Sequence, residues 1–438
     1  MPSTPSASCR LDSSSHRGSV GFRAEYAKRC NEPVSDARPR QFVIIGNGIA
    51  GTSAAEVIRK ADISAEITII AGEPYPLYNR IALPPFLKRK VTAQKVMIRD
   101  MAWHERMAIT LRLSTWAISI HPEEKCVLLN SGESIPYDAL LIATGSRANA
   151  CPAGTFNGVY NFQTLDDALA IEDHVSRAQN AVAYGGSYIS YELCEAFRMR
   201  GLETTWLMRG PYFLRRALEP EGGAMVDAIA ESHGVQMIHG EEVASFESNN
   251  GDVTGVITNT GRRIAADLVG IGLGVQRNVE FLAGSGIEFS KGVRTNEKLE
   301  TNVPGVYSAG DCAEFFDTYL QMHNLMGTWD NGVSQGRLAG RNMLGGDEAL
   351  DEVPTYATTL FHNRIVAFGA TPESVSDVED VWTIDRAEET YRRLFFRGYH
   401  LVGGVLIGDK RGRPKFMQMI RERTLIPPDD RSQLLALQ

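Results

Sequence analysis

The stretch "RQFVIIGNGIAGTSAAEVIRK", which begins at Arg40, constrains the fold more than any other part of the sequence. Phe42 to Ile45 is a short, apolar, largely β-branched run, the pattern of a strand buried on both faces in a parallel sheet. Gly46, Gly48 and Gly51 follow at G-x-G-x-x-G spacing, and a helical stretch continues through Ser53, Ala54, Ala55 and Glu56. Gly46 makes the tight turn. Gly48 lets the backbone approach a pyrophosphate, and Gly51 lets helix and strand pack closely. Phosphates then sit on the unpaired N–H groups at the helix start. The next segment, "AEITIIAGEP", reads as a second strand ending at Glu73, whose carboxylate can hydrogen-bond ribose hydroxyls. Strand, glycines, helix, strand and acid in this order point to an α/β dinucleotide-binding fold.

With 438 residues the chain is too long for one ordinary core, so two or three domains are expected. A formal charge of −8 argues against a nucleic-acid face, and no apolar run is long enough to span a bilayer. The six cysteines (Cys9, Cys30, Cys126, Cys151, Cys194 and Cys312) form no CxxC or CxxxxC pair. That removes a local redox dithiol and the usual zinc-knuckle spacing, so no metal site is expected. Scattered cysteines fit a reducing, cytoplasmic compartment. Residues 1–40 are rich in serine and arginine, without an apolar period or the apolar segment of a secretory signal. Asp12, Glu25, Glu32 and Asp36 count against a transit peptide, and a flexible or partner-docking extension is the expectation.

Two further turns complete a pattern. "YDALLIATGSRA" carries a buried strand, Leu140 to Ile142, ending in Ala143-Thr144-Gly145. "GVYSAGDCAEF" carries Val306 to Ser308, ending in Ala309-Gly310-Asp311. With the first glycine turn, these motifs resemble the two-dinucleotide-binding-domain flavoproteins of the pyridine nucleotide–disulfide oxidoreductase superfamily, from residue 41 to the C-terminus. The resemblance implies FAD. It puts Asp311 and Gly310 at the ribityl and pyrophosphate region and the Ala143-Thr144-Gly145 turn against the cofactor. The resemblance also implies that Ala117, in the hairpin segment "STWAISIHPEEKCVLLNSGESIPYD", contacts the adenine through its backbone. Cys312 reads as a small buried residue.

The branch follows from what is missing. "PYPLYNRIALPPFLKRK" has no cysteine where the disulfide reductases carry CxxxxC. "YNRIALPPFL" resembles the Y-N-R-P-x-L-S-K segment of the rubredoxin-reductase and nitrite-reductase-like branch, with Tyr78, Asn79, Arg80 and Leu83 matching. In that branch the arginine contacts FAD; a solvated surface charge is the other reading of Arg80. The family's lysine falls on Pro85, which puts in doubt an ion pair with the glutamate on the nicotinamide side. "YRRLFFRGYHLVGGVLIGD" resembles the small C-terminal domain of the same branch, as two strands around Gly398-Tyr399. "MGTWDNGVSQGRLAGRNMLGG" matches the helix after A-G-D, with Trp329 either near the flavin edge or structural.

A second glycine turn, "VAYGGSYISYE", departs from its pattern. The family has G-G-G-Y-I-G-x-E, whereas this chain has Gly185-Gly186-Ser187-Tyr188-Ile189-Ser190-Tyr191-Glu192. Gly185 keeps the turn. Ser190 takes the helix-packing position at small cost. Ser187 sets a Cβ where backbone meets phosphate, but its hydroxyl can also donate to that phosphate. Tyr188 and Glu192 are retained; in related reductases this tyrosine covers the flavin and the glutamate sits beside the nicotinamide. "GIGLGVQRN" resembles the segment that closes this domain, with Gly272 and Gly274 fitting. The second strand, "ETTWLMRGPYFLRR", ends in Met208 rather than an acid. Arg209 and Arg215 follow and resemble the phosphate-binding arginines of NADPH-dependent relatives, so NADH and NADPH both stay open.

The expectation is two Rossmann-like three-layer α/β domains of glutathione-reductase type plus a small C-terminal α+β domain. The segments are 1–40 (extension), 41–150 and 276–345 (FAD domain), 151–275 (NAD(P) domain) and 346–438 (C-terminal interface domain). The implied function is hydride exchange between NAD(P)(H) and FAD, with electrons passed to an iron–sulfur or rubredoxin-type protein, or collected from clusters in reverse. The chain then works as a homodimer or as the FAD subunit of a larger oxidoreductase. Two rivals stay open: a flavin-bearing structural or sensor subunit with an inactive nicotinamide site, and an NAD(P)H oxidase. A nitrite reductase proper is expected to carry additional cluster and siroheme domains.

Overall fold

Gln41–Ile45 (β1) sits at the centre of a five-stranded parallel sheet and is buried from Phe42 onward. It pairs on one side with Glu66–Ile70 (β2), which pairs with Ile109–Arg112 (β3), and on the other with Ala139–Ile142 (β4). The register sets Ile45 opposite both Ile70 and Ile142. Alternation along β1 decides which layer each residue serves. Phe42 and Ile44 pack with Ala54 and Ile58 of the helix Ile49–Ala61 (α1). Val43 and Ile45 pack with Ile120, Val127 and Leu129 of a three-stranded antiparallel sheet spanning Ala117–His121, Cys126–Leu129 and Ser134–Pro136. The result is the three-layer arrangement expected from the sequence. The strand β2 stops at Ile70, before Glu73, because Gly72 and Pro74 end it. A short helix, Leu83–Leu87 (α2), follows.

The second sheet repeats this plan. Its strands are Val159–Asn161 (β5), Asn180–Tyr184 (β6), Glu203–Met208 (β7), Val235–His239 (β8) and Leu268–Ile271 (β9), all parallel in the order β8-β7-β6-β9-β5. Helices Leu165–Val175 (α3), Tyr188–Met199 (α4) and Pro220–Ser232 (α5) alternate with the strands. Antiparallel strands from Val243 to Ala265 cover the other face through Val243, Val256 and Ile264. The chain then returns to the first sheet, where Val306–Ser308 (β10) pairs with β4, Ser308 opposite Ile142. The helix Trp329–Met343 (α6) follows and lies directly on α1.

The C-terminal part is a five-stranded antiparallel sheet: Thr355–Leu360 (β11), Asn363–Gly369 (β12), Glu379–Asp385 (β13), Thr390–Arg397 (β14) and His400–Ile407 (β15), in the order β11-β12-β15-β14-β13. The turn at Gly398-Tyr399 joins the last two strands, as the sequence suggested. Period-two alternation gives the sheet two cores. Tyr391, Phe395 and Val405 join Tyr191 and Leu193 of α4 and Leu83 of α2 in one cluster. Leu394, Phe396 and Leu406 face Phe416 and Ile420 of the helix Arg413–Arg421 (α7).

The structure, a computed structural model, describes residues 38–372 and 374–436. The expected extension lies outside the described residues except for its last three, and so do Cys9 and Cys30. Among the described residues no helix is long and apolar enough to cross a membrane.

Candidate active site

The carboxyl ends of the central strands β1 and β6 each carry a glycine turn, where ligands bind in open α/β sheets. At the first, Gly46 has φ +117°, and a Cβ there would lie 2.0 Å from the Ala143 carbonyl oxygen. The turn therefore closes against Ala143-Thr144-Gly145. Gly48 is the N-cap of α1, with no side-chain cap and nothing within 4 Å of the position a Cβ would take. The first N–H groups of α1 thus face an open cradle shaped for an anion.

Residues from three segments close around this cradle. Gly310 packs on Ala50, and its N–H donates to Gln335 Oε1 at 2.8 Å. Ser146 Oγ donates to Asp311 Oδ2 at 2.7 Å. Arg80 pairs with Glu73 and donates to the Gln163 carbonyl at 2.7 Å, while the Tyr78 hydroxyl donates to Glu73 at 2.6 Å. Arg80 is therefore a paired side chain held near Asp311, and no simple solvated charge. Glu73 faces Arg80 and Tyr78, so a ribose would share its carboxylate with them. Ala117 opens the antiparallel layer beside Trp116, whose ring lies over Gly72, 2.7 Å from where a Cβ would be. Two buried amides on α6, Asn331 Nδ2 and Gln335 Nε2, have no hydrogen-bond partner among the described residues. An uncapped helix N-terminus beside two orphaned donors fits the FAD that the motifs imply. Trp329 is half-buried in the first turn of α6. Cys312 is fully buried, and burial pushes its thiol up, away from reactivity.

At the second turn Gly185 has φ +128°, and a Cβ there would lie 2.2 Å from the Gly272 carbonyl. The two serines cap α4 reciprocally. Ser187 Oγ accepts from the Ser190 N–H at 3.5 Å and donates to Gly272 O at 2.7 Å. Ser190 Oγ accepts from the Ser187 N–H at 3.0 Å and donates to Ser187 O at 2.8 Å. This capping box takes two of the N–H groups that a glycine turn leaves for a phosphate. Gly186 faces Met208, and Gly274, at φ +83°, lies by Asn149 at the crossover between the two sheets. Ile189 is half-buried in the first turn of α4.

Tyr188 and Glu192 lie one turn apart on α4 and both meet β11. The Tyr188 and Tyr356 ring centroids are 4.1 Å apart, and Thr358 Oγ1 donates to Glu192 at 3.0 Å. Burial pushes the Glu192 carboxyl up to about 7, against the opposing pull of the Thr358 hydroxyl and the Lys88 charge. Lys88, at the end of α2, pairs instead with Glu195 at 2.5 Å, both side chains nearly inaccessible. Sequence reasoning did not find Lys88, Tyr356, Thr358 or the two α6 amides. Only Lys88 left a signal, as a lysine one turn beyond Pro85 in "PPFLKRK". Arg209 and Arg215 flank the turn after β7, away from this cluster; Arg209 pairs with Glu242 at 3.2 Å.

Residues 40–336 match the family described as pyridine nucleotide-disulphide oxidoreductase, and residues 361–424 match the rubredoxin NAD+ reductase C-terminal domain. The chain is 26% identical over 400 residues to the nitrite reductase [NAD(P)H] of Bacillus subtilis, covering 90% of this chain and 49% of that protein. It thus spans about half the length of that relative. It is 31% identical over 317 residues to the ferredoxin–NAD(+) reductase component of the anthranilate 1,2-dioxygenase system of Burkholderia cepacia, covering 72% of this chain and 78% of that one. Among solved structures, a covalent putidaredoxin reductase–putidaredoxin complex matches with a TM-score of 0.83 at 23% identity, covering 90% of this chain and 95% of that one. An engineered water-forming NADPH oxidase bound to NADPH matches with a TM-score of 0.80 at 20% identity, covering 89% and 92%. At these identities the two structures speak for the fold.

Proposed function

The chain belongs to the pyridine nucleotide-disulphide oxidoreductase family, and from that premise we propose that it is an FAD-dependent oxidoreductase linking NAD(P)(H) to a protein redox partner. The observation that carries this reading is the pair of glycine turns at the ends of β1 and β6, the first with an uncapped helix N-terminus beside two buried amide nitrogens that have no hydrogen-bond partner among the described residues. Gly46, Gly48, Gly51, Arg80, Gly310 and Asp311 hold the dinucleotide cofactor, with the Ala143-Thr144-Gly145 turn beneath it and Ala117 and Glu73 at its adenosine end. FAD, when bound, supplies a carrier that accepts a hydride and gives up electrons singly. The chain's own task is to orient the rings and exclude water. Tyr188 stands at the mouth of the second site, braced by Tyr356, and Glu192 accepts from Thr358 with its carboxyl pushed up to about 7 by burial, so it can take up or release a proton near neutral pH. Gly185, Gly186, Ser187, Ile189 and Gly274 shape the nicotinamide nucleotide's seat. In the engineered NADPH oxidase, two substitutions to arginine lie six residues apart, the interval that separates Arg209 and Arg215.

No cysteine stands in the segment that faces the first site, so electrons leave for another protein. An iron–sulfur protein or rubredoxin is the partner class, in keeping with the ferredoxin and putidaredoxin in the relatives' names. We take residues 41–150 and 276–345 as the FAD domain, 151–275 as the NAD(P) domain and 346–438 as the interface domain. The protein works in the cytoplasm, as a homodimer or as one subunit of a larger oxidoreductase; its four described cysteines are free, as a reducing compartment requires.

A second reading, a flavin-bearing subunit with a closed nicotinamide site, is favoured by the Ser187–Ser190 capping box alone. Anaerobic mixing of the yellow protein with NADH and with NADPH, following the flavin absorbance, separates the two. Rapid bleaching by either nucleotide supports the reductase. Bleaching by dithionite alone overturns it in favour of the closed site. Fast steady turnover with oxygen and no protein partner would instead make it an oxidase.

A further inference from the structure

We infer that the cavity where the C-terminal sheet meets the turn at Tyr319-Leu320 binds a small tetrahedral oxyanion of the phosphate or sulfate kind. The cavity shares no residue with either glycine turn.

Three separate stretches build it. The turn between the antiparallel strands Ala313–Asp317 and Met322–Leu325 gives Tyr319 and Leu320. The hairpin from β14 to β15 gives Arg397 and His400, and the residues just past α7 give Arg423. The apolar lining, Leu320, Leu401, Val402 and Ile420, is buried. The cavity measures about 90 Å³. That is the room of about three waters at roughly 30 Å³ each, too little for a nucleotide and enough for one oxyanion.

Charge sets the ligand class. Arg397 donates one N–H to the Leu320 carbonyl at 2.9 Å, which holds its guanidinium across the domain boundary and leaves its other donors to a ligand. Arg423 is exposed. Among the described residues neither arginine has a carboxylate partner. The two carboxylates that touch the turn are engaged elsewhere. Asp317 accepts from the Tyr319 and Leu320 N–H groups at 2.9 and 3.0 Å, and Asp351 accepts from the Tyr319 hydroxyl. His400 adds a buried Nδ1 with no hydrogen-bond partner among the described residues, an atom that a bound acceptor would satisfy when it carries the proton. A tetrahedral dianion suits this set, because each guanidinium offers paired N–H donors. Bound there, it ties the C-terminal sheet to the chain that follows Asp311.

The test is calorimetric titration of the FAD-loaded protein with inorganic phosphate, at fixed ionic strength and in a buffer free of other oxyanions. A saturable one-site isotherm that sulfate competes away is expected. Arg423→Gln weakens binding at least roughly tenfold, because a charge-assisted hydrogen bond is lost, and Arg423→Lys weakens it less. Both variants keep native circular dichroism and flavin colour, since the Arg423 side chain bonds to no other described residue. Phosphate binding that survives Arg397→Gln combined with Arg423→Gln overturns the inference, because the anion is then seated elsewhere. Absence of saturation overturns it as well. So does equal competition by acetate, which would make the cavity a seat for a carboxylate of another protein.

Discussion

Lys88 Nζ lies 2.5 Å from Glu195 Oε2, one helical turn beyond the two positions, Pro85 and Glu192, where the family resemblance sets a lysine against its glutamate. A lysine charge does stand between these two helices, one turn further along each. Glu192 is left with the Thr358 hydroxyl and only a distant share of the Lys88 charge.

Lys88→Met strands the Glu195 carboxylate in the interior. A loss of about 3–5 kcal/mol in unfolding free energy is expected. Lys88→Met with Glu195→Leu recovers most of it, since the second change removes the orphaned charge. Urea unfolding of the three proteins measures both steps; equal stability of the single variant and the parent would rule out a coupled pair.

Glu192 gives the stability a pH dependence of defined sign. Its folded value of about 7 lies above the ordinary 4.5. Between these limits the folded chain keeps a proton that the unfolded chain has released, so stability falls as pH rises through this window. It is level above about 7, and the slope from one group is at most about 1.4 kcal/mol per pH unit. Glu192→Gln flattens this component, and chemical unfolding across the window reads the difference between the two proteins.

Ser187→Gly with Ser190→Gly restores the unmodified glycine turn. The cost is a stability loss on the order of 1 kcal/mol, because a cap is lost and glycine enters the first helical turn. Two backbone N–H groups are released, so nicotinamide nucleotide binds more tightly. Calorimetric titration that found unchanged or weaker binding would mean that the serines do not compete with the phosphate.

Gly46 and Gly48 part company on substitution. Gly46→Ala meets the Ala143 carbonyl and a strained φ, and the chain fails to accumulate as folded protein. Gly48→Val points into open space with an extended backbone, so it folds but blocks the cradle. The purified Gly48→Val protein is expected to show native circular dichroism and no yellow colour.

The first glycine turn was legible because its constraints are local and steric. Gly46 and Gly51 are needed whatever the rest of the chain does, and Phe42 to Ile45 had to be a doubly buried strand. The boundary of β2 was less legible, since Gly72 and Pro74 stop the strand before Glu73 and turn that carboxylate toward Arg80. The second site could not be read from its motif. What Ser187 does depends on Ser190 three residues on and on Gly272 from a distant loop. Lys88 meets Glu195, and Thr358 meets Glu192, only through packing of three separate segments, and no spacing in the sequence announces either meeting.

The late return of β10 to the first sheet fixes an order of assembly. A chain emerging from the ribosome presents β1 to β4 early, yet their sheet lacks its last strand, and the cradle lacks Gly310 and α6. The second sheet has all five strands by Ile271 and can close first. The half that starts first therefore gains its last strand only after the second sheet has all of its own, and its cofactor pocket takes shape late.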